Sequence, residues 1–155
     1  MSEPESILLF RGIPRGLDRP ALRKFAIRLR DEVAAGRAFC CMLTRDKELQ
    51  RLNSQFLAHD YPTDVLSFPS GEAEGQLGDL AISYDRAVAQ AAEFEHAAED
   101  EIRILMLHGL LHLSGMDHES DRGNMRRAEI AWRRKLDRIH EGDEWPVVSP
   151  GCRPR

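Results

Sequence analysis

Cysteine is scarce in this chain of 155 residues, which contains three of them. Cys40 and Cys41 are neighbours and Cys152 lies in a polar tail, so the spaced, even-numbered pairs of a disulfide framework are absent. A domain of this length buries roughly 70% of its unfolded surface and needs no disulfides to form a core. A chain of this kind suits a reducing compartment, and we therefore expect a cytoplasmic protein.

Long apolar runs and export signals are also missing. The longest apolar stretch, residues 104–113, is interrupted by two histidines and a glycine and is too short to span a bilayer. The first residues lack the basic and apolar regions of a secretory signal, and no repeat or low-complexity tract occurs. We therefore expect no membrane contact, no export by that route, and one domain over residues 1–145 with a flexible tail over residues 146–155.

Neither sign of charge dominates, since 22 basic and 26 acidic side chains give a net charge of −4. The distribution is uneven: residues 11–51 contain eleven Lys or Arg against five acids, residues 72–101 contain nine acids against one Arg, and residues 122–138 contain seven bases against two acids. This pattern favours local binding of a polyanion, although solvated helix faces produce it as well. The candidate contacts in the last segment are Arg126, Arg127, Arg133 and Arg134.

The spacing of apolar residues predicts a mixed α+β domain. Short or alternating apolar runs indicate four strands, at about residues 7–10, 38–43, 65–68 and 77–84. Helical spacing indicates five helices, at about residues 18–36, 46–57, 85–94, 98–113 and 121–140. We therefore expect a single small domain in which a mixed sheet of about four strands packs with about five helices.

Three histidines stand close together in the sequence HGLLHLSGMDH. On a helix, positions i and i+4 share a face, so His108 and His112 present two ring nitrogens to one ion. Gly115 can end the helix in a left-handed conformation and turn the chain back, which lets His118 approach the same ion. Three imidazoles with one open position are typical of a catalytic zinc site. We therefore predict one zinc ion per chain bound by these histidines, the alternative being histidines satisfied on a core helix.

The same spacing occurs in the zincin pattern H-E-x-x-H-x-x-G-x-x-H, so we expect one of the five helices to be a zincin-like metal helix. Gly109 stands where a zinc peptidase has its general-base glutamate, so the metal site is retained and the peptidase base is lost. Asp117 is a candidate to orient a ligand imidazole through its second nitrogen, or else a turn residue. The other histidines fall outside this spacing and are expected to lie exposed at the surface, namely His59, His96 and His140.

The segment HGLLHLSGMDH resembles the H-G-x-L-H-L-x-G-x-D-H signature of the YbeY family, bacterial rRNA-maturation endoribonucleases. Other motifs of that family occur in the same order, and the likeness covers about residues 7–140: Leu52-Asn53, Phe56, Asp60, PTDVLSFP at 62–69 and Leu77-Gly78-Asp79. The resemblance implies a small α+β fold and a zinc ion held by His108, His112 and His118. It also implies cleavage of single-stranded RNA, work in 16S rRNA 3′-end processing and ribosome quality control, and the ribosome or its proteins as partners.

One position departs from the family pattern. After the aromatic residue of the Leu-Asn motif, many family members have an arginine thought to contribute to catalysis, and this chain has Leu57. A missing cation near the scissile phosphate removes stabilisation of the charge that develops in the transition state. Either another basic residue compensates, with Arg51 about a turn and a half earlier as a candidate, or turnover is slow.

Three functions are compatible with these observations. The leading hypothesis is a metal-dependent endoribonuclease in which a zinc-bound water is activated or the substrate's own 2′-hydroxyl attacks, so no catalytic side chain is assigned. The second is a non-enzymatic ribosome-assembly factor with a structural or vestigial zinc, which Leu57 keeps open. The third is a zinc peptidase or amidase, against which Gly109 argues.

Overall fold

The computed structural model describes residues 7–57, 63–70, 75–114 and 123–139. Within these ranges one sheet contains the strands β1 (Leu8–Phe10), β2 (Ala38–Thr44), β3 (Val65–Pro69) and β4 (Gln76–Ser83). The α-helices of the same ranges are α1 (Arg19–Arg28), α2 (Asp46–Leu57), α3 (Tyr84–Glu93), α4 (Ala98–Leu113) and α5 (Asn124–Ile139). The predicted single α+β domain with a four-stranded mixed sheet is confirmed, whereas the tail over residues 146–155 lies outside the described residues.

The sheet has the strand order β1-β2-β4-β3, in which β1, β2 and β4 are parallel and β3 runs antiparallel to β4. Consecutive residues of a strand point to opposite faces. Leu80 accordingly belongs to the main core with residues of α1 and α4, whereas Ala81 packs with Leu49 of α2. Helices α4 and α2 therefore lie on opposite faces of the sheet.

Helix α4 is the central element of the core. Nearly all of its residues from Glu101 onward are buried, so it lacks the single apolar stripe of a surface helix. Three acidic residues occupy its first turn, where their negative charges interact favourably with the positive end of the helix dipole. At the other end, the Ser114 hydroxyl donates a hydrogen bond to the Leu110 carbonyl. Neither α4 nor any other described helix is long and apolar enough to cross a membrane.

Gly78 lets β3, β4 and the end of α4 meet closely. Its φ of +148° lies in a region that side-chain-bearing residues rarely adopt. A Cβ atom at this position would lie 2.9 Å from Leu113 Cδ2 and would collide with the carbonyl oxygen of Phe68. Glycine is therefore required at position 78, where the carboxyl end of α4 packs on the sheet.

The predicted boundaries need correction at several helices. Beyond α1, residues 29–33 form a π-helical turn, and the positive φ angles of Ala35 and Gly36 end it. Strand β4 ends one residue before Tyr84, because the Ser83 hydroxyl accepts a hydrogen bond from the Arg86 backbone N–H and caps α3. The last helix begins at Asn124.

The prediction that His96 is a surface residue is wrong. Its side chain is 5% exposed, and its Nε2 lies 2.7 Å from Oε1 of the fully buried Glu101. The left-handed φ of +57° at Glu95 turns the chain between α3 and α4, and His96 then meets the first turn of α4. His59 and His140 lie outside the described residues.

Candidate metal centre

The paired histidines lie where the spacing predicts, one helical turn apart near the carboxyl end of α4. The ring centroids of His108 and His112 are 5.2 Å apart and the ring planes meet at 60°. His108 is 3% exposed and His112 is half-buried, so the pair borders the core on one side and opens toward the surface on the other. Two imidazoles at this spacing are suited to sharing one ion about 2.1 Å from each nitrogen.

The third predicted ligand, His118, lies outside the described residues, as do Asp117 and Gly115. Among the residues that the structure does describe, no group of three or more His, Cys, Asp or Glu side chains converges as a metal site. The described part of the candidate centre therefore consists of two of its three predicted ligands.

A carboxylate that the sequence pattern did not single out contacts this pair. Oε2 of Glu129, on α5, lies 3.5 Å from Nδ1 of His108, and its Oε1 accepts a 3.0 Å hydrogen bond from Nη2 of Arg133. Glu129 is 6% exposed. The i,i+4 spacing of Glu129 and Arg133 is visible in the sequence, but nothing local links either residue to a histidine 21 positions before Glu129.

Gly109 faces the sheet. A Cβ atom there would lie 2.8 Å from Leu80 Cδ2 and 3.1 Å from Val65 Cγ2, and the Gly109 carbonyl accepts a 3.2 Å hydrogen bond from the Ser67 hydroxyl. Glycine thus lets α4 lie close to β3 and β4. A glutamate at this position would meet the sheet, so packing as well as sequence argues against a peptidase base.

The four arginines of α5 proposed to contact a polyanion occupy different environments. Arg127 and Arg134 are exposed and Arg126 is half-buried. The Arg133 side chain is only 13% exposed and forms the ion pair with Glu129. The structure therefore turns Arg133 toward Glu129, the carboxylate that contacts His108, and leaves the other three along the helix surface.

The position of the missing family arginine is the last residue of α2, Leu57. Arg51, the candidate replacement, is exposed on the same helix, where it forms an ion pair with Glu48 and donates a 2.6 Å hydrogen bond to Gln55. The Arg51 guanidinium also lowers the pKa of the Glu48 carboxyl. Arg51 is thus already paired with Glu48 and Gln55 on α2 itself, which does not favour its role as a substitute.

Comparison with known families shows which family has this helix with its paired histidines. The family model described as endoribonuclease YbeY matches residues 22–137, which include both described histidines and Glu129. The chain belongs to the YbeY endoribonuclease family.

Individual YbeY relatives support the same assignment. The protein named endoribonuclease YbeY from Solibacter usitatus is 58% identical over 137 residues, which cover 88% of this chain and 92% of the relative. The YbeY protein of Koribacter versatilis is 42% identical over 121 residues, covering 78% and 79%. A solution structure from Thermotoga maritima has a TM-score of 0.61 at 27% identity and covers 94% of this chain and 99% of that one. The family resemblance of the sequence motifs is confirmed.

Proposed function

We propose that this chain is a zinc-dependent endoribonuclease that cleaves single-stranded RNA in the cytoplasm, acting in 16S rRNA 3′-end maturation and ribosome quality control together with the ribosome or its proteins. Family membership supports RNA cleavage, because the matching relatives are named as endoribonucleases. The observation that carries the metal part is the His108–His112 pair with a carboxylate beside Nδ1 of His108.

The donor set fits zinc. Neutral imidazoles are borderline-soft ligands that suit zinc, and histidine ligands usually donate their second N–H to a carboxylate or carbonyl. His108 and His112 would hold the ion, and the family resemblance adds His118. When bound, zinc supplies Lewis-acid stabilisation of negative charge on a phosphoryl oxygen.

The side chains of the chain itself position the metal ligand and contact the RNA. His108 is held at the edge of the core by the burial of α4, and Gly109 supplies no base beside it. Arg126, Arg127 and Arg134 lie along α5, where they can contact the phosphates of a single strand. Because no described carboxylate takes the position of a peptidase base, RNA cleavage fits this site better than amide hydrolysis.

A cleavage assay with His112→Ala as the site variant and His96→Ala as the matched control tests the proposal. Full-length protein loaded with zinc should cleave single-stranded RNA faster than duplex RNA, and elemental analysis should give one zinc per chain. His112→Ala should lose both zinc and cleavage, whereas His96→Ala should keep the zinc because His96 lies at the other end of α4. Wild-type zinc content in His112→Ala would refute the site, and inactivity of the zinc-loaded wild type would refute the reaction.

One observation favours a second candidate, a ribosome-assembly factor with a structural zinc. Leu57 stands where many family members have an arginine, and Arg51 is engaged with Glu48 on its own helix. In that case the wild type would hold zinc and bind rRNA or the ribosomal subunit without cleaving RNA at any zinc load. The same assay separates the two candidates.

A further inference from the structure

Arg133, Glu129 and His108 form a largely buried chain of polar contacts, in which Glu129 lies between the other two. The Glu129 and Arg133 side chains are 8% and 13% exposed, and the carboxylate uses one oxygen for each neighbour. The His108 side chain is 3% exposed. Three polar side chains from two helices therefore meet where water is largely excluded.

A buried carboxylate is destabilising unless cations and hydrogen-bond donors surround it. Arg133 supplies the cation at 3.0 Å, one helical turn after Glu129. An apolar side chain would pack α5 on the core without that desolvation, as Leu136 already does further along the same helix. The carboxylate is therefore retained at a cost in desolvation that simple helix packing does not require.

The chemistry of imidazole offers a reason for that cost. A neutral histidine carries one N–H, and the hydrogen bond made by one ring nitrogen decides which nitrogen keeps the lone pair. Glu129 faces Nδ1 of His108, so Nδ1 becomes the donor and Nε2 keeps the lone pair that a metal needs.

We infer that Glu129 is a positioning residue that fixes the tautomer and ring orientation of His108 for metal binding, and that Arg133 holds the Glu129 carboxylate in place. This inference rests on the proposed zinc site. It assigns to α5 a role in the metal centre and moves Arg133 from the RNA-contact candidates to the support of a ligand.

The first measurement is the zinc dissociation constant of the full-length protein, by competition with a chromophoric chelator. Removal of the group that hydrogen-bonds to a ligand histidine weakens metal binding by about 10- to 100-fold, which is the effect expected for Glu129→Ala. Glu129→Gln should weaken it by less than about tenfold, because the amide oxygen still accepts from Nδ1–H. Arg133→Met should fall between the wild type and Glu129→Ala.

Glu101→Gln is the matched control. Glu101 is also a buried glutamate bonded to a histidine, and it lies on α4 about 10 Å along the helix from His108. This variant should lower the thermal midpoint without changing the zinc dissociation constant. A role of Glu129 in stability alone would make the two glutamate variants alike in both measurements.

The second measurement is an NMR signature that helix packing would not produce. In the zinc-loaded wild type, long-range ¹H–¹⁵N spectra should show a slowly exchanging Nδ1–H of His108. The signal should persist in Glu129→Gln and disappear by exchange in Glu129→Ala.

The outcomes distinguish failure of the zinc site from failure of the Glu129 role. A wild type that binds no zinc would overturn the proposed metal site and this inference with it. A wild type that binds zinc, with Glu129→Ala matching it in affinity and in the Nδ1–H signal, would overturn this inference alone. Should Glu129→Ala fail to fold, an unchanged affinity in both Glu129→Gln and Arg133→Met would overturn it.

Discussion

The two ends of α4 each have a buried histidine–glutamate pair, and the two pairs differ in their geometry and in what surrounds the histidine ring. At the amino end, His96 and Glu101 lie 2.7 Å apart and five positions apart in the chain. At the carboxyl end, His108 and Glu129 lie 3.5 Å apart and belong to different helices, 21 positions apart. The same two residue types thus form a local contact in the His96–Glu101 pair and a long-range contact in the His108–Glu129 pair.

What differs is the environment of the remaining ring nitrogen. The His96 ring stacks on Phe94 at 6.3 Å, and its Nδ1 is a buried atom without a hydrogen-bond partner within the described residues. The His108 ring has His112 beside it at 5.2 Å. The His108–Glu129 pair is therefore the candidate for metal binding because a second histidine lies beside its ring, whereas the His96–Glu101 pair, which has Phe94 beside its ring, is expected to stabilise the fold.

The amino-end pair should give the largest change in stability. His96→Leu leaves Glu101 buried without its imidazole partner, which costs about 3 kcal/mol of unfolding free energy. For a chain of this size that corresponds to roughly 6–12 °C in Tm. Urea unfolding and elemental analysis should show the lower stability with one zinc per chain unchanged; a drop in zinc content would show that the two ends are coupled.

Gly109, which directly follows His108, tests how tightly α4 lies on the sheet. Gly109→Ala places a Cβ against Leu80 and Val65, and overpacking of this kind costs about 1–3 kcal/mol. Glycine to alanine in an open helix has the opposite sign, a gain of about 0.5–1 kcal/mol. Denaturant midpoints decide between them, and increased stability would contradict the close approach of helix and sheet.

Leu57→Arg should raise the rate of RNA cleavage without affecting the His96–Glu101 pair. If position 57 lies near the scissile phosphate, as the family resemblance implies, a guanidinium there stabilises the developing charge, and tenfold faster cleavage corresponds to about 1.4 kcal/mol of barrier. Leu57→Met is the control of similar size and no charge. Equal initial rates for all three proteins, with zinc content intact, would place the arginine's role elsewhere.

The arginines of α5 should give the smallest effect, a change in the salt dependence of RNA binding. Each phosphate of a single strand that the protein neutralises contributes about 0.7 to the log–log slope, so a triple change of Arg126, Arg127 and Arg134 to Glu should make the slope shallower. Arg133→Gln should leave the slope unchanged, because the Arg133 side chain is engaged with Glu129. A slope reduced by Arg133→Gln would show that this side chain reaches the RNA.

Much of the fold could be predicted because its signals are local. The strand alternation around Leu80 and Ala81, the helical spacing of α2 and the order of elements all follow from neighbours in the chain. Helix ends were less predictable: the π-helical turn after α1 and the cap at Ser83 depend on single backbone angles and hydrogen bonds.

The sequence by itself determined that two histidines share one face of a helix and that no glutamate stands between them, since both follow from the order of residues and the helical repeat. Only the tertiary structure decided that Gly109 lies close against Leu80 and that the His96 side chain is buried. The tertiary structure also decided that Arg133 forms its ion pair with Glu129. The physical reason is that a helix pattern states which residues share a face but not which distant segment covers it. The packing of α5 on α4 brings Glu129 to His108, and no spacing within either helix contains that information.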